Sequence, residues 1–306
     1  MDSRHFLGFS PLIFLHLHLT SAEINGSVIK MKTGSSSVPF DPTHVTQLSW
    51  HPRAFIYQGF LTSEECDHLI TLAKDNLKKS MVADNESGKS DESEVRTSSG
   101  MFLRKAQDEV VADIEAWIAA WTFLPKENGE SIQILHYEHG QKYEPHFDYF
   151  HDKANQQLGG HRIATVLMYL SDVESGGETV FPNADGKRTQ IKDESWSDCA
   201  KNGFAVKPRK GDALLFFSLH PDATTDKKSL HGSCPVIKGE KWSATKWIHV
   251  RAFSKSRRRS SMGDCVDENE SCPAWAKAGE CKRNPNYMVG TDASPGYCRK
   301  SCNVCS

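Results

Sequence analysis

Residues 131–150 read SIQILHYEHGQKYEPHFDYF. Upstream of this stretch the apolar residues recur every three or four positions. From Ser131 onward they alternate, or bunch in short runs broken by turn residues. "SIQILHYE" and "YEPHFDYF" are the first two runs. "RIATVLMYL", "ETVF", "GFAVKP", "GDALLFF", "SLHGSCPV" and "KWSATKWIHV" follow, separated by turns such as "GG", "PNADG" and "KGD". About eight strands behind two helices predict a mainly β chain with flanking helices (α+β), a double-sheet jelly roll with helices packed outside it.

The elements ahead of the β-region read clearly. "AFIYQGF" (Ala54–Phe60) is a strand, and "TSEECDHLITLAKDNL" a helix. Thr62 and Glu65 have capping-box spacing, and Cys66, Leu69, Ile70, Ala73 and Leu77 share one helix face. A second helix covers "DEVVADIEAWIAAW", with Val110, Ile114, Trp117 and Trp121 on one stripe. Between them Asn85–Gly100 holds almost no apolar residue and reads as a long mobile loop.

Within "YEPHFDYF", His146 and Asp148 are an i, i+2 pair and share a strand face, with Phe147 pointing away. An imidazole beside a carboxylate is two-thirds of the 2-His-1-carboxylate triad of non-haem iron sites. Alone, H-x-D also occurs on ordinary solvated strands. His231 in "SLHGSCPV" is the best candidate for the missing histidine, because it sits on a short strand late in the β-region. His151, adjacent to Asp152, would face away from the pair. In "KWSATKWIHV", Lys241, Ser243, Thr245, Trp247 and His249 share one face. So apolar a strand is expected to be central, with both faces buried. Lys241 then has two readings: it pairs with a ligand anion such as a dicarboxylate, or it snorkels to solvent at the strand's start.

From about Arg53 to Arg251 the chain resembles the plant prolyl 4-hydroxylases, Fe(II)/2-oxoglutarate dioxygenases. "HYEHGQKYEPHFDYFHD", "GGHRIATVLMYLS", "GGETVFP", "KGDALLFFSL" and "SLHGSCPVIKGEKWSATKWIHV" carry the resemblance. It implies a double-stranded β-helix fold. His146, Asp148 and His231 would ligate Fe(II); Lys241, with Tyr137 and Thr179, would bind the far carboxylate of 2-oxoglutarate. Tyr143, Arg162, Trp247 and His249 match positions near the bound peptide, and Arg96 a further substrate contact. The implied reaction uses O2, is sustained by L-ascorbate, and converts peptidyl proline to 4-hydroxyproline. Its substrates would be proline-rich polypeptides in polyproline II form, extensin-like or arabinogalactan-like. Two other readings stay open: a related dioxygenase with another target, and a non-catalytic jelly-roll binding protein.

The ends of the chain speak of compartment. "MDSRHFLGFSPLIFLHLHLTSAE" places Arg4 before an apolar run and small residues, the layout of a secretory signal cleaved near Ala22 or of a signal-anchor. The first form gives a soluble protein of the endoplasmic reticulum or Golgi lumen, the second a single-pass type II membrane protein. Asn25, Asn85 and Asn269 head glycosylation sequons. Residues 1–22 are thus expected as signal, 23–49 as linker, 50–254 as the catalytic domain, 255–264 as a basic linker and 265–305 as a cysteine-rich module. A net charge of −2 gives no reason to expect nucleic acid as partner, and nothing in the sequence fixes an oligomeric state.

Six of the nine cysteines fall in that last module. Spacing alone leaves all fifteen pairings open. The tail resembles the ShK-type toxin domain, which implies Cys265–Cys305, Cys272–Cys298 and Cys281–Cys302. The lysine of the channel-blocking Lys-Tyr pair is missing from "NPNYMVG", so a disulfide-stapled appendage is the preferred reading. Of the remaining three cysteines, Cys66 lies on an apolar helix stripe and is expected as a buried thiol. That leaves Cys199 and Cys234 to pair in an oxidising compartment.

Overall fold

The computed structural model describes residues 41–83, 90–91, 93–253, 265, 267, 271–290, 296 and 298–305. The signal segment, Asn25, Asn85, Asn269 and the basic linker lie outside the described residues. Among the described residues no helix is long and apolar enough to cross a membrane.

The strands are β1 (Val45–Trp50), β2 (Arg53–Tyr57), β3 (Lys78–Lys79), β4 (Val82–Ala83), β5 (Ser90–Asp91), β6 (Ser99–Phe102), β7 (Gln133–Tyr137) and β8 (Tyr143–His146). They continue as β9 (Arg162–Tyr169), β10 (Ser175–Gly176), β11 (Thr179–Phe181), β12 (Phe204–Val206), β13 (Ala213–Phe217), β14 (His231–Ser233), β15 (Val236–Lys238) and β16 (Lys241–His249). Eight form one sheet in the order β1-β2-β13-β9-β16-β7-β6-β3, and four a second sheet, β12-β11-β14-β8. The pairings in both are antiparallel.

The two sheets pack face to face, as a jelly roll requires. Ala54, Ile56, Tyr169, Leu214 and Phe216 of the large sheet meet Phe181 and Phe204 of the small one in a single apolar cluster. Phe181 and Phe216 touch edge to face at 5.3 Å. Two helices, α1 (Ser63–Ala73) and α2 (Glu109–Thr122), are laid against the large sheet. The Cys66 thiol of α1 reaches the Tyr169 carbonyl of β9, and Glu115 of α2 pairs with Lys246 of β16. All nine residues of β16 are therefore buried, one face by the helices and the other by the small sheet. The capping box on α1 is present: Glu65 N–H donates to Thr62 Oγ1 at 3.2 Å and Thr62 N–H to Glu65 Oε2 at 2.8 Å. His68 Nε2 and Asp108 Oδ2, 2.9 Å apart, tie α1 to the residue that caps α2.

Several expectations need correction. The linker does not extend to residue 49: Val45–Trp50 is the edge strand β1, paired with β2. Its Thr, Gln and Ser residues hid it, because an edge strand solvated on one side needs few apolar side chains. "SLHGSCPV" is two strands, β14 and β15, broken at Pro235, which cannot donate to a ladder. Leu77 lies beyond the end of α1. On α2 the buried stripe includes Val111 and Ile118, while Val110 and Trp117 are half-buried. Within the span read as a mobile loop, Arg96 is 5% exposed and bridges to Tyr143, and Ser99 and Gly100 begin β6.

Short helices α3 (Lys153–Gln156) and α4 (Asp198–Lys201) interrupt the β-region. Cys199 of α4 is bonded to Cys234, and Cys66 is free and buried. In the tail, α5 (Cys272–Lys277), α6 (Glu280–Arg283) and α7 (Pro285–Met288) are stapled by Cys265–Cys305, Cys272–Cys298 and Cys281–Cys302.

Candidate active site

His146 at the end of β8 and His231 at the start of β14 are direct cross-strand partners. Asp148 lies just past the end of β8, so the strict pleat argument stops at His146, yet its carboxylate returns to the same side. The donor atoms of these three residues all lie within 4.8 Å of one another. His146 Nε2 is 3.8 Å from Asp148 Oδ1, and His231 Nε2 is 3.6 Å from Asp148 Oδ2. Among the described residues this is the single cluster of metal-ligating side chains.

The surroundings fit the three for a metal ion. His146 Nδ1–H donates to the Glu144 carbonyl at 2.8 Å and His231 Nδ1–H to the Ser229 carbonyl at 2.9 Å. Both Nε2 lone pairs are thus turned inward, the usual arrangement behind a metal-bound histidine. Burial, reinforced by His231, brings His146 down to about 3, so its ring is neutral. Burial alone would raise Asp148; the neighbouring His231, His146 and Arg162 and a 2.6 Å hydrogen bond from Thr165 Oγ1 outweigh it and hold the carboxyl at about 2. A neutral imidazole and an ionised carboxylate are the donor forms a divalent ion takes. Tyr143 stacks on His146 at 3.6 Å and Phe216 stands 4.4 Å from His231, walling the cluster on two sides.

Lys241 lines the same cavity, as do Tyr137, Thr179, Ser243, Thr245 and Trp247. Its side chain does not snorkel: the residue is 1% exposed. The ammonium donates to the Gly177 carbonyl at 2.8 Å and to Ser233 Oγ at 2.9 Å, both neutral acceptors. The Tyr137 and Tyr169 rings flank it at 5.3 and 5.8 Å. Burial lowers it to about 7, opposed only by Glu178. A buried amine on neutral acceptors, in a cavity that also holds a carboxylate-histidine cluster, suits an anionic ligand. Tyr169 escaped the sequence reading. Its hydroxyl is 2.8 Å from Thr179 Oγ1, and the signal was its even spacing from Thr165 along β9.

Arg162, Trp247 and Phe150 form the side of a wider groove over the cluster. The Arg162 guanidinium lies 4.1 Å over Trp247 and 4.9 Å over Phe150. Its Nε donates to Glu130 Oε1 at 2.6 Å, and His249 Nε2 meets the same oxygen at 2.8 Å. His249 is fully buried and lines neither cavity nor groove. Its expected place beside the substrate is corrected to one behind Arg162. Gly159 permits this, since a Cβ there would stand 3.0 Å from His249 Nδ1. Glu130 was also missed: a lone acid before a strand gives no spacing signal. Burial would raise it, but Arg162 and His249 hold it at about 2. His151 is exposed against Tyr149 and takes no part in the cluster.

Comparison with known proteins adds to this geometry. The family described as "2OG-Fe(II) oxygenase superfamily" matches residues 132–249, and "ShK domain-like" matches 264–305. Probable prolyl 4-hydroxylase 7 of Arabidopsis thaliana is 68% identical over 317 residues, covering 100% of both chains. Probable prolyl 4-hydroxylase 6 of the same plant is 65% identical, again over 100% of both. Its prolyl 4-hydroxylase 2 is 60% identical over 274 residues, 89% of this chain and 91% of that one. A solved viral collagen prolyl hydroxylase from Paramecium Bursaria Chlorella virus-1, in a 2OG complex, aligns at 27% identity and TM-score 0.48, covering 64% of this chain and 94% of that chain.

Proposed function

Because the chain belongs to the prolyl 4-hydroxylase family, we propose that its cavity performs that family's reaction with the residues just described. It is an Fe(II)- and 2-oxoglutarate-dependent dioxygenase that hydroxylates peptidyl proline. His146 and His231, through Nε2, and Asp148, through its carboxylate, would hold the iron. Lys241, Tyr137 and Thr179 take the far carboxylate of 2-oxoglutarate. When bound, the iron with O2 and 2-oxoglutarate supplies the oxidising power that replaces a C4 hydrogen of proline by hydroxyl, with succinate and CO2 as co-products.

The protein's own part is orientation and exclusion of water. Thr165 fixes Asp148, the Glu144 and Ser229 carbonyls fix the two imidazoles, and Glu130 with His249 steadies Arg162 over Trp247. Tyr143, Arg162, Trp247 and Arg96 border the groove, where they position the peptide. The observation that carries the reading is the pairing of two poles in one cavity, a three-donor cluster and a buried lysine whose acceptors are neutral.

The finer reading is that substrates are proline-rich secretory and cell-wall polypeptides, extensin-like or arabinogalactan-like, in polyproline II form. Ascorbate keeps the iron reduced. The protein works in the endoplasmic reticulum or Golgi lumen, glycosylated at one or more of Asn25, Asn85 and Asn269, and freed or anchored through its N-terminal segment. The sequons, the apolar leader and the cysteine use support this. The test is 2-oxoglutarate turnover with poly(L-proline) and with extensin-like and arabinogalactan-like peptides, analysed for hydroxyproline. Succinate release that ignores every proline peptide would instead favour a dioxygenase with another target.

A further inference from the structure

The two acceptors of the Lys241 ammonium, the Gly177 carbonyl and Ser233 Oγ, each adjoin a residue of a cluster outside the cavity. Gly177 precedes Glu178, and Ser233 precedes Cys234. The two segments are laced together. Cys234 N–H donates to the Glu178 carbonyl at 2.8 Å, Gly177 N–H donates to the Pro235 carbonyl at 3.0 Å, and Thr179 pairs with Ser233. Helix α4 locks this lacing on the sheet face opposite Phe181. Its Cys199 is bonded to Cys234, and Trp196, Cys199 and Ala200 pack with Val180 and Ala205.

Glu178 is 1% exposed, and its carboxylate accepts from Ser197 N–H at 3.0 Å and from Ser197 Oγ at 2.8 Å. A buried carboxylate on neutral donors costs free energy, so its place calls for a reason. Ser197 caps α4, its Oγ accepting from Ala200 N–H at 3.1 Å. Glu178 therefore fixes the start of the helix that carries Cys199, while its own carbonyl holds Cys234. Side chain, helix, bridge and backbone close one ring. Strand β14 breaks register between its two ends: His231 faces His146, Ser233 faces Tyr143, and an irregularity lies between. The His231 end has its own supports, the Ser229 carbonyl and the Phe216 ring. Slack at Cys234 thus reaches Ser233 before it reaches His231.

We infer that Glu178, Ser197 and the Cys199–Cys234 bridge form a latch that positions Gly177 and Ser233 around Lys241, so that affinity for the dicarboxylate cosubstrate depends on a closed bridge. The inference rests on the dioxygenase reading above. Cys199 is half-buried and Cys234 fully buried, so a thiolate from solvent meets Cys199 first. With glutathione, the first thiolate forms a mixed disulfide at Cys199, and Cys234 leaves as a thiolate that takes up a proton. A second thiolate attacks the glutathione sulfur, releases Cys199 as a thiol and departs as glutathione disulfide. Two thiols are oxidised and the bridge is reduced. The enzyme therefore grips its cosubstrate only where thiols are kept oxidised.

The test equilibrates the full chain in glutathione buffers of rising thiol content. Parallel samples are alkylated and mapped to show which bridges have opened. Anaerobic calorimetry then reads Fe(II) binding and 2-oxoglutarate binding separately. Opening Cys199–Cys234 should lower 2-oxoglutarate affinity on the order of tenfold with Fe(II) affinity unchanged, and reoxidation should restore it. Cys199→Ala combined with Cys234→Ala leaves the tail bridges intact and should match the open state, raising the KM for 2-oxoglutarate with little change in kcat at saturation. Ser197→Ala, with the bridge closed, should move the KM in the same direction. Unchanged 2-oxoglutarate affinity in the open state and in the double variant would overturn the latch while leaving the hydroxylase reading intact. Joint loss of iron binding and of the fold would make the bridge a structural staple only, and would overturn it too. So would a bridge that no thiol content opens in the folded protein. Absence of 2-oxoglutarate binding to the oxidised, iron-loaded wild type would sink the reading beneath it.

Discussion

Lys241 is bonded to neutral oxygens and brought down to about 7 by burial. A dicarboxylate cosubstrate favours the charged ammonium, so binding takes up a proton wherever the free amine is neutral. Affinity for 2-oxoglutarate should then fall as pH rises above about 7, by up to tenfold per pH unit. Lys241→Arg, charged throughout, should flatten that slope in calorimetric titrations, and Lys241→Ala should raise the KM. For folding the sign is opposite. Between about 7 and the ordinary 10.5 the unfolded chain holds the proton that the folded chain has released, so ligand-free stability rises with pH across that window. Tyr169 offers a milder test. Its hydroxyl meets Thr179, and Tyr169→Phe should cost about 1 kcal/mol of cosubstrate affinity, roughly fivefold in KM, with little change in kcat.

At the scale of elements, α2 is keyed to β16 by the ion pair Lys246 Nζ–Glu115 Oε1 at 2.5 Å, with the two residues 3% and 8% exposed. Removing one partner strands a buried charge, so Glu115→Ala or Lys246→Ala should each lose about 3–5 kcal/mol in urea unfolding. The double change Glu115→Leu with Lys246→Met should recover most of it. Lys246 is on the sheet face opposite Lys241, so its loss should leave 2-oxoglutarate affinity of the folded protein unchanged; equal effects at the two lysines would contradict the strand's facing. That facing was legible in the sequence because β16 is regular: Lys241, Ser243, Thr245 and Trp247 do line one cavity. His231 could be picked out because it stands on a short strand late in the β-region. What could not be read were pairings that carry no periodicity. Glu115 looks like a surface residue of an amphipathic helix until its lysine partner is seen. Glu130 and Arg96 sit in polar stretches whose burial follows from tertiary packing alone. β1, with Thr46, Gln47 and Ser49, resembles a linker until β2 pairs with it.

At the scale of the molecule, two apolar clusters belong to different stretches of chain. One joins the two sheets, and the other gathers Cys272, Met288 and Cys298 of the tail. The three tail disulfides close within residues 265–305. The catalytic region likewise keeps its own bridge, Cys199–Cys234, which anchors the residue beside Ser233, the partner of Lys241. Deleting residues 260–306 should therefore leave a folded enzyme with kcat and KM for poly(L-proline) within about twofold of the intact chain, since the tail's three bridges all close within the tail. A soluble, folded truncation without activity would make the tail part of the site. The jelly roll was legible at this scale from run lengths and turns; the tail pairing was legible only through its resemblance to a known module.

His146, Asp148 and His231 would hold Fe(II) in the cavity that Lys241 also lines. Anaerobic titration with Fe(II), followed by 2-oxoglutarate and read by absorption and calorimetry, tests this directly. The wild type should bind one Fe(II) and then one 2-oxoglutarate. Replacing any of the three donors by Ala should abolish the first step, and Lys241→Ala should weaken only the second, with circular dichroism unchanged throughout. Wild-type iron affinity in Asp148→Ala or His231→Ala would contradict the account.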